Sequence, residues 1–477
     1  MRILGLVTWG SSEFGENDRS MRVYGIAARL RAILMDDGEF AAVIRGAGLA
    51  LVIRVLAGVV GYVTAILLAR WMGSSEYGCY SFAVAAMTLL AYPATLGLPG
   101  AAVRFAAQYA TARDWPHVAG LLVMSSWLGF GCSAVIALVG VPAILYFKAH
   151  IDPGYVAPMI VALAGLPVVA VSMVRSEAIR GLGWLALAWG PLQLGQPLLF
   201  LIVAVAIMFI ATELSASMVV GASIAASAAM LIAQWGVLRA RLGTKISVPP
   251  KVNIRLWLGV ALSFVWISVA NIVLAQAGII MVGVFLTPKE VAIFSAAAAT
   301  SLLMTYPLQA TNALSVPKFA ALHAQQRHVE LQTLVTNVTR WTFWPSLAIA
   351  LLLGSFGSTI LRLFGPGFEQ GYAVLVILTI GQLANAFAGP VANLLSMTGH
   401  QVVTAWAVGC SAILYVLVGI LAIPVWGALG AGIAFCAITL LWNFWLMILV
   451  MRKLEIYPSI LSPSVRAGRT DSGVSIG

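Results

Sequence analysis

Residues 71–86 of this chain read WMGSSEYGCYSFAVAA, and residues 285–300 read FLTPKEVAIFSAAAAT. The two stretches align without a gap and pair Glu76 with Glu290, 214 positions further on. The same offset pairs further segments: Tyr92-Pro93 with Tyr306-Pro307, Arg104-Phe105-Ala106-Ala107 with Lys318-Phe319-Ala320-Ala321, and Arg113 with Arg327. The second half therefore repeats the first. In membrane proteins built from such repeats, the working site commonly lies between the halves.

The composition excludes a soluble protein. Hydrophobic residues make up 61% of the chain and charged residues 9%, and the mean hydropathy is +0.99. Soluble domains carry roughly 25% charged residues. Apolar runs of the ~20 residues needed to cross a bilayer recur along nearly the whole length. These runs are continuous rather than short and alternating, which favours helices over a barrel. We therefore predict an all-α polytopic membrane protein.

The apolar runs give about twelve predicted spans, six in each half. They lie near 46–69, 79–99, 118–147, 155–174, 187–211 and 216–238, and then near 257–286, 291–314, 341–364, 372–394, 402–424 and 428–450. The predicted domains are an N-terminal segment 1–44, a first six-helix lobe 45–240, a linker 241–256, a second six-helix lobe 257–451 and a tail 452–477. An even number of spans returns the chain to its starting side, so the two repeats run parallel.

Lysine and arginine are concentrated in the loops on one side of the predicted topology. That side holds the arginine-rich N-terminal segment, the linker from Arg239 to Arg255 and the C-terminal tail. The positive-inside rule then places both termini in the cytoplasm. The net charge of +11 is explained by loops that face an anionic leaflet, without nucleic acid. Residues 22–35 have one basic and one apolar face, which fits a helix on the membrane surface or a poorly ordered tail.

Two segments near the first predicted hairpin carry a family resemblance. Residues 68–78 read LARWMGSSEYG, and Leu96-Gly97-Leu98 precedes Arg104-Phe105-Ala106. Both resemble polysaccharide flippases, the O-antigen and exopolysaccharide translocases of the multidrug, oligosaccharidyl-lipid and polysaccharide exporter superfamily. The resemblance covers about residues 45–450. It implies two six-helix lobes in a V around a central cavity. It also implies that an undecaprenyl-pyrophosphate-linked oligosaccharide moves from the inner to the outer leaflet of the bacterial cytoplasmic membrane.

Arg54 is the first candidate site residue. It lies nine residues into the first predicted span, ~13 Å below the cytoplasmic edge at 1.5 Å per residue. A cation at that depth needs water or a partner, and guanidinium binds phosphate through two parallel hydrogen bonds. Snorkelling or pairing with a backbone carbonyl is the alternative. Arg54 also resembles an arginine early in the first span of peptidoglycan-precursor flippases.

Polar side chains in the seventh and eighth spans come next. Amides there need partners that lipid cannot supply, whether sugar hydroxyls or a neighbouring helix. Arg104 and Lys318 occupy equivalent cytoplasmic positions, where they orient the chain or attract an anionic head group. Glu76 and Glu290 are predicted to cap the helices that follow them. The predicted substrate-binding residues are Arg54, Asn271, Gln276, Gln309, Asn312, Arg104 and Lys318.

The motifs argue against an enzyme. There is no G-x-x-x-x-G-K-[ST] phosphate loop, no carboxylate pair and no Ser-His-Asp arrangement, and no cofactor or metal is expected. The leading hypothesis is a flippase whose partners are a lipid-linked oligosaccharide, membrane lipid, and a polysaccharide polymerase with glycosyltransferases. A multidrug or small-molecule exporter of the same superfamily is the alternative, and a polysaccharide polymerase or ligase is a third hypothesis.

Overall fold

The computed structural model describes residues 39–210, 213–243 and 248–458, with side chains described for 52–312 and 315–458 inside those ranges. The predicted surface helix in 22–35 lies outside these residues. Ala50–Gly477 form one compact unit, which is the unit considered below. Throughout the described ranges the regular structure is helical and contains no strand. The all-α prediction is therefore confirmed.

Fifteen α-helices are numbered here in chain order. The first half contains α1 (Glu39–Ala94), α2 (Leu98–Thr111), α3 (Trp115–Phe147), α4 (Pro153–Gly181), α5 (Leu185–Trp189), α6 (Gln196–Ile210) and α7 (Ala216–Leu242). The second half contains α8 (Ile254–Phe285), α9 (Pro288–Ser301), α10 (Tyr306–Ala324), α11 (His328–Arg362), α12 (Tyr372–Ala388), α13 (Val391–Met397), α14 (Gln401–Trp426) and α15 (Ala428–Leu454). A π-helical segment, Gly190–Gly195, joins α5 to α6.

Eleven segments in the described part of the chain are long and apolar enough to cross a membrane. The first, Val52–Ala94, has 43 residues and spans ~65 Å, about twice the ~30 Å hydrocarbon layer. Gly73 divides it, because its backbone has φ 75° and ψ 170° inside an otherwise helical stretch. Glycine tolerates this conformation because it has no Cβ. The long segment thus contains the first two predicted spans, and the protein is a multi-pass membrane protein.

The repeat seen in the sequence is also present in the backbone. Gly183 follows α4 with φ 84°, and Gly399 follows α13 with φ 85°. Arg113 has φ 54° in the α2–α3 turn, and Gln326 has φ 58° in the α10–α11 turn. Arg113 and Gln326 are 213 positions apart. In this turn the backbone therefore matches Arg113 with Gln326, one residue before the Arg327 with which the sequence alignment pairs it.

The turns define two faces of the unit. We call the face with the α2–α3, α4–α5 and α10–α11 turns the basic face, since Arg113, Arg180 and Arg327 lie there. The face with Gly73 and the α8–α9 turn is the opposite face. The second span of each half is interrupted on its way to the basic face. Residues 95–97 break the first, and the 3-10 turn Leu302–Thr305 breaks the second.

The two halves meet where α1 packs against α9 and α10. The Tyr62 and Thr300 hydroxyls are 3.0 Å apart. A Cβ at Gly58 would overlap the Tyr306 hydroxyl, and a Cβ at Gly78 would overlap the backbone oxygen of Pro288. In the part of α1 before Gly73, the contacts move from Tyr62 to Gly58 as their partners move from Thr300 to Tyr306, so this part runs antiparallel to α9 and α10. We call this contact the α1 seal; its residues are Gly58, Tyr62, Gly78, Pro288, Thr300 and Tyr306.

A second contact joins the halves nearer the basic face, where α8 begins. The Trp257 indole donates a hydrogen bond to the Tyr109 hydroxyl at 3.0 Å. Trp257 is 1% exposed and packs in an apolar cluster with Phe105 and Leu121 of the first half. The linker backbone adds a hydrogen bond from Lys251 N to Pro116 O at 3.0 Å. The start of α8 is therefore held by the first half.

The paired glutamates make different contacts. Glu290 accepts hydrogen bonds from the backbone N–H of Thr287 at 3.1 Å and from its hydroxyl at 3.3 Å, which caps α9 as predicted. Glu76 instead accepts from the backbone N–H of Ala216 at 2.6 Å, at the first residue of α7. Glu76 therefore caps a helix distant in sequence, and this contact ties the first hairpin to the last helix of its half.

The close contact at Gly78 predicts that a larger residue at this position destabilises the protein. Gly78→Ala places a methyl group against the Pro288 backbone, which cannot move aside like a flexible side chain, and overpacking of this kind costs roughly 1–3 kcal/mol. We expect a lower thermal unfolding temperature of the purified protein in detergent. Gly61→Ala on the same helix is the matched control, because nothing lies within 4 Å of the added Cβ. Equal unfolding temperatures for both variants would contradict the close contact.

Candidate functional site

Arg54 lies near the basic end of α1. It precedes Gly73 by 19 residues, or ~28 Å along the helix, which is almost the full ~30 Å hydrocarbon thickness. Counted back from this turn, Arg54 comes close to the basic end of such a layer, whereas counting from the start of the apolar run gives a depth of ~13 Å. Arg54 is half-buried at the basic end of the layer.

Arg54 shares an aromatic ring with a second arginine. Its Cζ atom lies 4.7 Å from the centre of the Trp189 ring, and the Cζ atom of Arg180 lies 5.7 Å from the centre of the same ring. A guanidinium within about 6 Å of an indole face is attracted by the ring quadrupole. The Glu177 carboxylate accepts from Arg180 Nε at 2.7 Å and also contacts Nη2. We call Arg54, Glu177, Arg180 and Trp189 the arginine–tryptophan cluster.

Local backbone structure places these side chains together. Glu177 and Arg180 are one turn apart at the end of α4, so they lie on the same side of that helix. Gly183 then reverses the chain into the short helix α5, which ends at Trp189. Pro191 follows within the π-helical segment and lacks the N–H that an α-helix would use. Isolated π-helical turns within helices occur frequently at functional sites.

The charged side chains of the cluster are partly exposed. The side chains of Arg180 and Glu177 are 38% and 25% exposed, and Arg54 and Trp189 are half-buried. Charged side chains are costly against lipid, so the exposed parts of these side chains need contact with water or with polar groups. The Glu177 carboxylate interacts electrostatically with Arg54 as well as with Arg180. Two guanidinium groups against one carboxylate leave the cluster with a net positive charge.

Two of the predicted amides lie level with Arg54 across the α1 seal. Arg54 is four residues, or ~6 Å, on the basic side of Gly58, and the antiparallel register puts Gln309 at the same level on α10. Gln309 donates to the Thr305 hydroxyl at 3.1 Å. The Asn312 side-chain oxygen is buried and has no hydrogen-bond partner among the described residues. A buried polar atom of this kind normally has a partner, so the Asn312 oxygen is an unsatisfied hydrogen-bond acceptor near the level of Arg54.

The other predicted residues lie apart from the cluster. Asn271 is exposed and donates to the Ile267 carbonyl of its own helix at 2.7 Å, and Gln276 is half-buried further along α8. Arg104 is exposed, with Cζ 6.0 Å from the Phe105 ring centre. Lys318 is exposed at the end of α10. In the described ranges, no hydrogen bond, ion pair or ring contact joins any of them to the arginine–tryptophan cluster.

Lys318 lines a separate cavity on the basic face of the second half. The cavity has a volume of about 530 Å³ and lies between α10 and α11. Arg327 also lines it but is paired with Glu330, whose carboxylate accepts from Arg327 Nε at 2.7 Å. Asn337 adds an amide to the wall. The second half therefore presents a polar depression at the position where Lys318 was predicted to attract an anionic group.

The sequence prediction missed most of the arginine–tryptophan cluster. From the sequence, Arg180 is one more basic residue in a loop, and nothing in the apolar run around Trp189 singles that residue out. The spacing of Glu177 and Arg180, and the Trp189-Gly190-Pro191 sequence inside an apolar span, are the signals that could have found them. Their contact with Arg54, over 120 residues earlier, depends on helix packing.

Comparison with known proteins identifies the family. The family described as Polysaccharide biosynthesis protein matches residues 43–323. The chain belongs to this family. The match contains the whole arginine–tryptophan cluster and both amides opposite it. Among the curated proteins, none matches the sequence significantly.

Solved structures with the same fold are transporters and flippases of the MOP superfamily. One is an inward-facing multidrug resistance MATE family transporter, with a TM-score of 0.66, 18% identity, and coverage of 85% of this chain and 94% of that one. The lipid II flippase MurJ, in an inward closed conformation, has a TM-score of 0.65 and 12% identity over 84% of this chain and 87% of that one. A MOP superfamily transporter from Pyrococcus furiosus has a TM-score of 0.58 and 16% identity over 87% and 96%.

The two arginines of the cluster should bind anions, with the Trp189 ring holding both guanidinium groups in position. Trp189→Leu removes this ring and both of its cation–π contacts, which contribute about 0.5–1 kcal/mol each, so we expect roughly fivefold to thirtyfold weaker binding of inorganic pyrophosphate. Isothermal titration calorimetry of the protein in nanodiscs measures the change. Trp127→Leu is the control, because Trp127 is 65% exposed and packs only against Phe130 among the described aromatic rings. Equal losses in the two variants would contradict a specific role for Trp189.

Proposed function

We propose that the protein moves an undecaprenyl-pyrophosphate-linked oligosaccharide from the inner to the outer leaflet of the bacterial cytoplasmic membrane. The observation that supports this most is the stacking of Arg54 and Arg180 on Trp189, beside the α1 seal. The family match to polysaccharide biosynthesis proteins and the fold shared with the lipid II flippase MurJ agree with it. The protein acts as a transporter, with glycosyltransferases supplying the lipid-linked glycan and a polymerase consuming it.

The pyrophosphate suits the arginine–tryptophan cluster chemically. Guanidinium groups present a planar fork of N–H donors that matches two phosphate oxygens at once. Arg54 and Arg180 lie over one ring, so both forks can reach a single pyrophosphate group. The net positive charge of the cluster opposes the binding of a cation. The cluster is therefore assigned to the phosphate end of the substrate.

The oligosaccharide is assigned to the wall opposite the cluster. Gln309 and Asn312 present amides at that level of α10, and the Asn312 oxygen has no partner in the described part of the chain. Sugar hydroxyls both donate and accept hydrogen bonds, so they can pair with amides of either orientation. The undecaprenyl tail stays in the bilayer, where its burial needs no polar partner.

Access to the site is proposed to alternate between the two leaflets. We assign the basic face to the cytoplasm by the positive-inside rule. In this state the α1 seal joins the halves from Gly78 to Gly58, and Arg54 lies on the cytoplasmic side of the last contact. The substrate enters from that side. Export requires the α1 seal to open while the first and second halves, proposed as lobes 45–240 and 257–451, close around the basic face.

A multidrug or small-molecule exporter is the second candidate function. It is favoured by the similarity in fold to MATE transporters, which is as close as the similarity to MurJ. The two functions differ in the charge of the cargo they require. Two arginines over one ring would repel a cationic drug. Replacing Arg54 should therefore lower glycan export by a flippase but not drug export by such an exporter.

The proposal predicts that Arg54→Ala abolishes glycan export. The variant loses one of two guanidinium groups that bind the pyrophosphate, and hydrogen bonds between charged groups contribute about 1.5–3 kcal/mol, so export should fall at least tenfold. Lipid-linked oligosaccharide should accumulate in the inner leaflet of cells that produce only this variant. Arg54→Lys should retain partial activity, because a lysine keeps the charge but not the fork.

Arg70→Ala is the matched control for this experiment. Arg70 lies on the same helix, is exposed, and is about four turns closer to the opposite face. Its loss should leave export unchanged, with all variants present in the membrane at equal amounts. Normal glycan export by Arg54→Ala would rule out the assigned role, and lost export of cationic drugs by the same variant would favour the exporter.

A further inference from the structure

The candidate site contains its own anion. Glu177 contacts two nitrogens of Arg180 through a single oxygen, Oε2, which lies 2.7 Å from Nε and also contacts Nη2. A phosphate bound to the same fork would need both of these nitrogens. The carboxylate also interacts electrostatically with Arg54 and with the Tyr92 hydroxyl. A substrate phosphate cannot bind both nitrogens of Arg180 while Glu177 occupies them. Substrate and carboxylate therefore compete for one guanidinium group.

A second pair elsewhere in the chain shows that this arrangement is not a general feature of the fold. Arg327 and Glu330 have the same three-residue separation and the same contacts, with Nε at 2.7 Å from the carboxylate. Their side chains are 50% and 47% exposed, and Arg327 stacks on no described aromatic ring. In the cluster, by contrast, Arg180 is held on Trp189 next to a second arginine. Only the Glu177 pair is placed to compete for a ligand shared with Arg54.

We infer that Glu177 is an internal counterion which holds Arg180 when the site is empty and is displaced by the phosphate of the substrate. This rests on the proposed assignment of the arginine–tryptophan cluster to the phosphate. The exchange swaps one oxyanion for another, so Arg180 remains paired before, during and after binding. Rebinding of Glu177 then helps the substrate to leave.

An internal counterion lowers the affinity of the cluster for the substrate phosphate, and the lower affinity lets the substrate dissociate. Two arginines that bound pyrophosphate without competition would hold it tightly, and a transporter that holds its cargo tightly cannot deliver it. Removing the carboxylate charge should therefore have opposite effects on binding and on transport. A residue with a merely structural role would lower both or change neither, so this opposition is specific to the inferred role.

The test compares Glu177→Gln with the wild-type protein in nanodiscs, using farnesyl pyrophosphate as the probe. Glutamine keeps the size of the side chain but cannot neutralise Arg180. We expect roughly tenfold tighter binding, a slower dissociation rate and reduced glycan export in cells. Glu177→Asp shortens the side chain, loses the two-nitrogen contact and should tighten binding by a smaller factor. Glu330→Gln is the matched control and should leave binding unchanged.

A double variant checks that the effect passes through Arg180. In an Arg180→Gln background, Glu177→Gln should no longer tighten binding, because the guanidinium that it frees is gone. Unchanged or weaker binding by both Glu177 variants would overturn the inference, as would an equal gain in Glu330→Gln. A gain in affinity that persists without Arg180 would also overturn it.

These outcomes are separable from failure of the proposed function. Tighter binding by Glu177→Gln in a protein whose deletion leaves glycan export intact would support the counterion and contradict the flippase assignment. Binding by the wild type with no gain in the variant would overturn the counterion alone. If the wild-type protein did not bind farnesyl pyrophosphate at all, both the counterion and the phosphate site would fall.

Discussion

The close packing of α1 against α9 and α10 is the constraint on which the rest of the structure depends. Gly58 and Gly78 have no side chain where the two halves meet, so the Tyr306 ring and the Pro288 backbone can lie directly against α1. The hydroxyls of Tyr62 and Thr300 bond between these two contacts. Helix contacts in a membrane gain little from the hydrophobic effect, so small residues and polar bonds decide which helices stay together.

This packing fixes the position of Arg54 relative to the second half. Arg54 is one turn beyond the last contact of the α1 seal, toward the basic face, and α10 brings Gln309 to the same level. The first half supplies the charges and the aromatic ring, whereas the second half supplies neutral amides. The position matching Arg54 in the second half, under the 214-residue offset, is Ser268. The two halves thus differ at this position, and the first half carries the charged groups.

The sequence was sufficient to predict the regular features of the fold. Spans could be placed because each needs ~20 apolar residues, and the hairpins at Glu76 and Glu290 could be aligned because the sequences around them match without a gap. Arg54 was identified because a cation in an apolar run demands a partner. The partners could not be predicted, because the contact between Trp189 and Arg54 depends on how α4, the turn at Gly183 and α5 pack in three dimensions. The same reason explains Glu76, which caps α7 rather than its own helix.

The central claim is that an anionic lipid-linked glycan, rather than a cationic small molecule, crosses the membrane through this protein. Purified protein in liposomes, with a fluorescent polyprenyl-pyrophosphate oligosaccharide in both leaflets, tests it directly when a membrane-impermeant quencher is added outside. If the protein moves this lipid between leaflets, the inner-leaflet lipid should be quenched at a rate well above that of empty liposomes. Quenching limited to the outer leaflet, together with protein-dependent transport of a cationic dye, would contradict it.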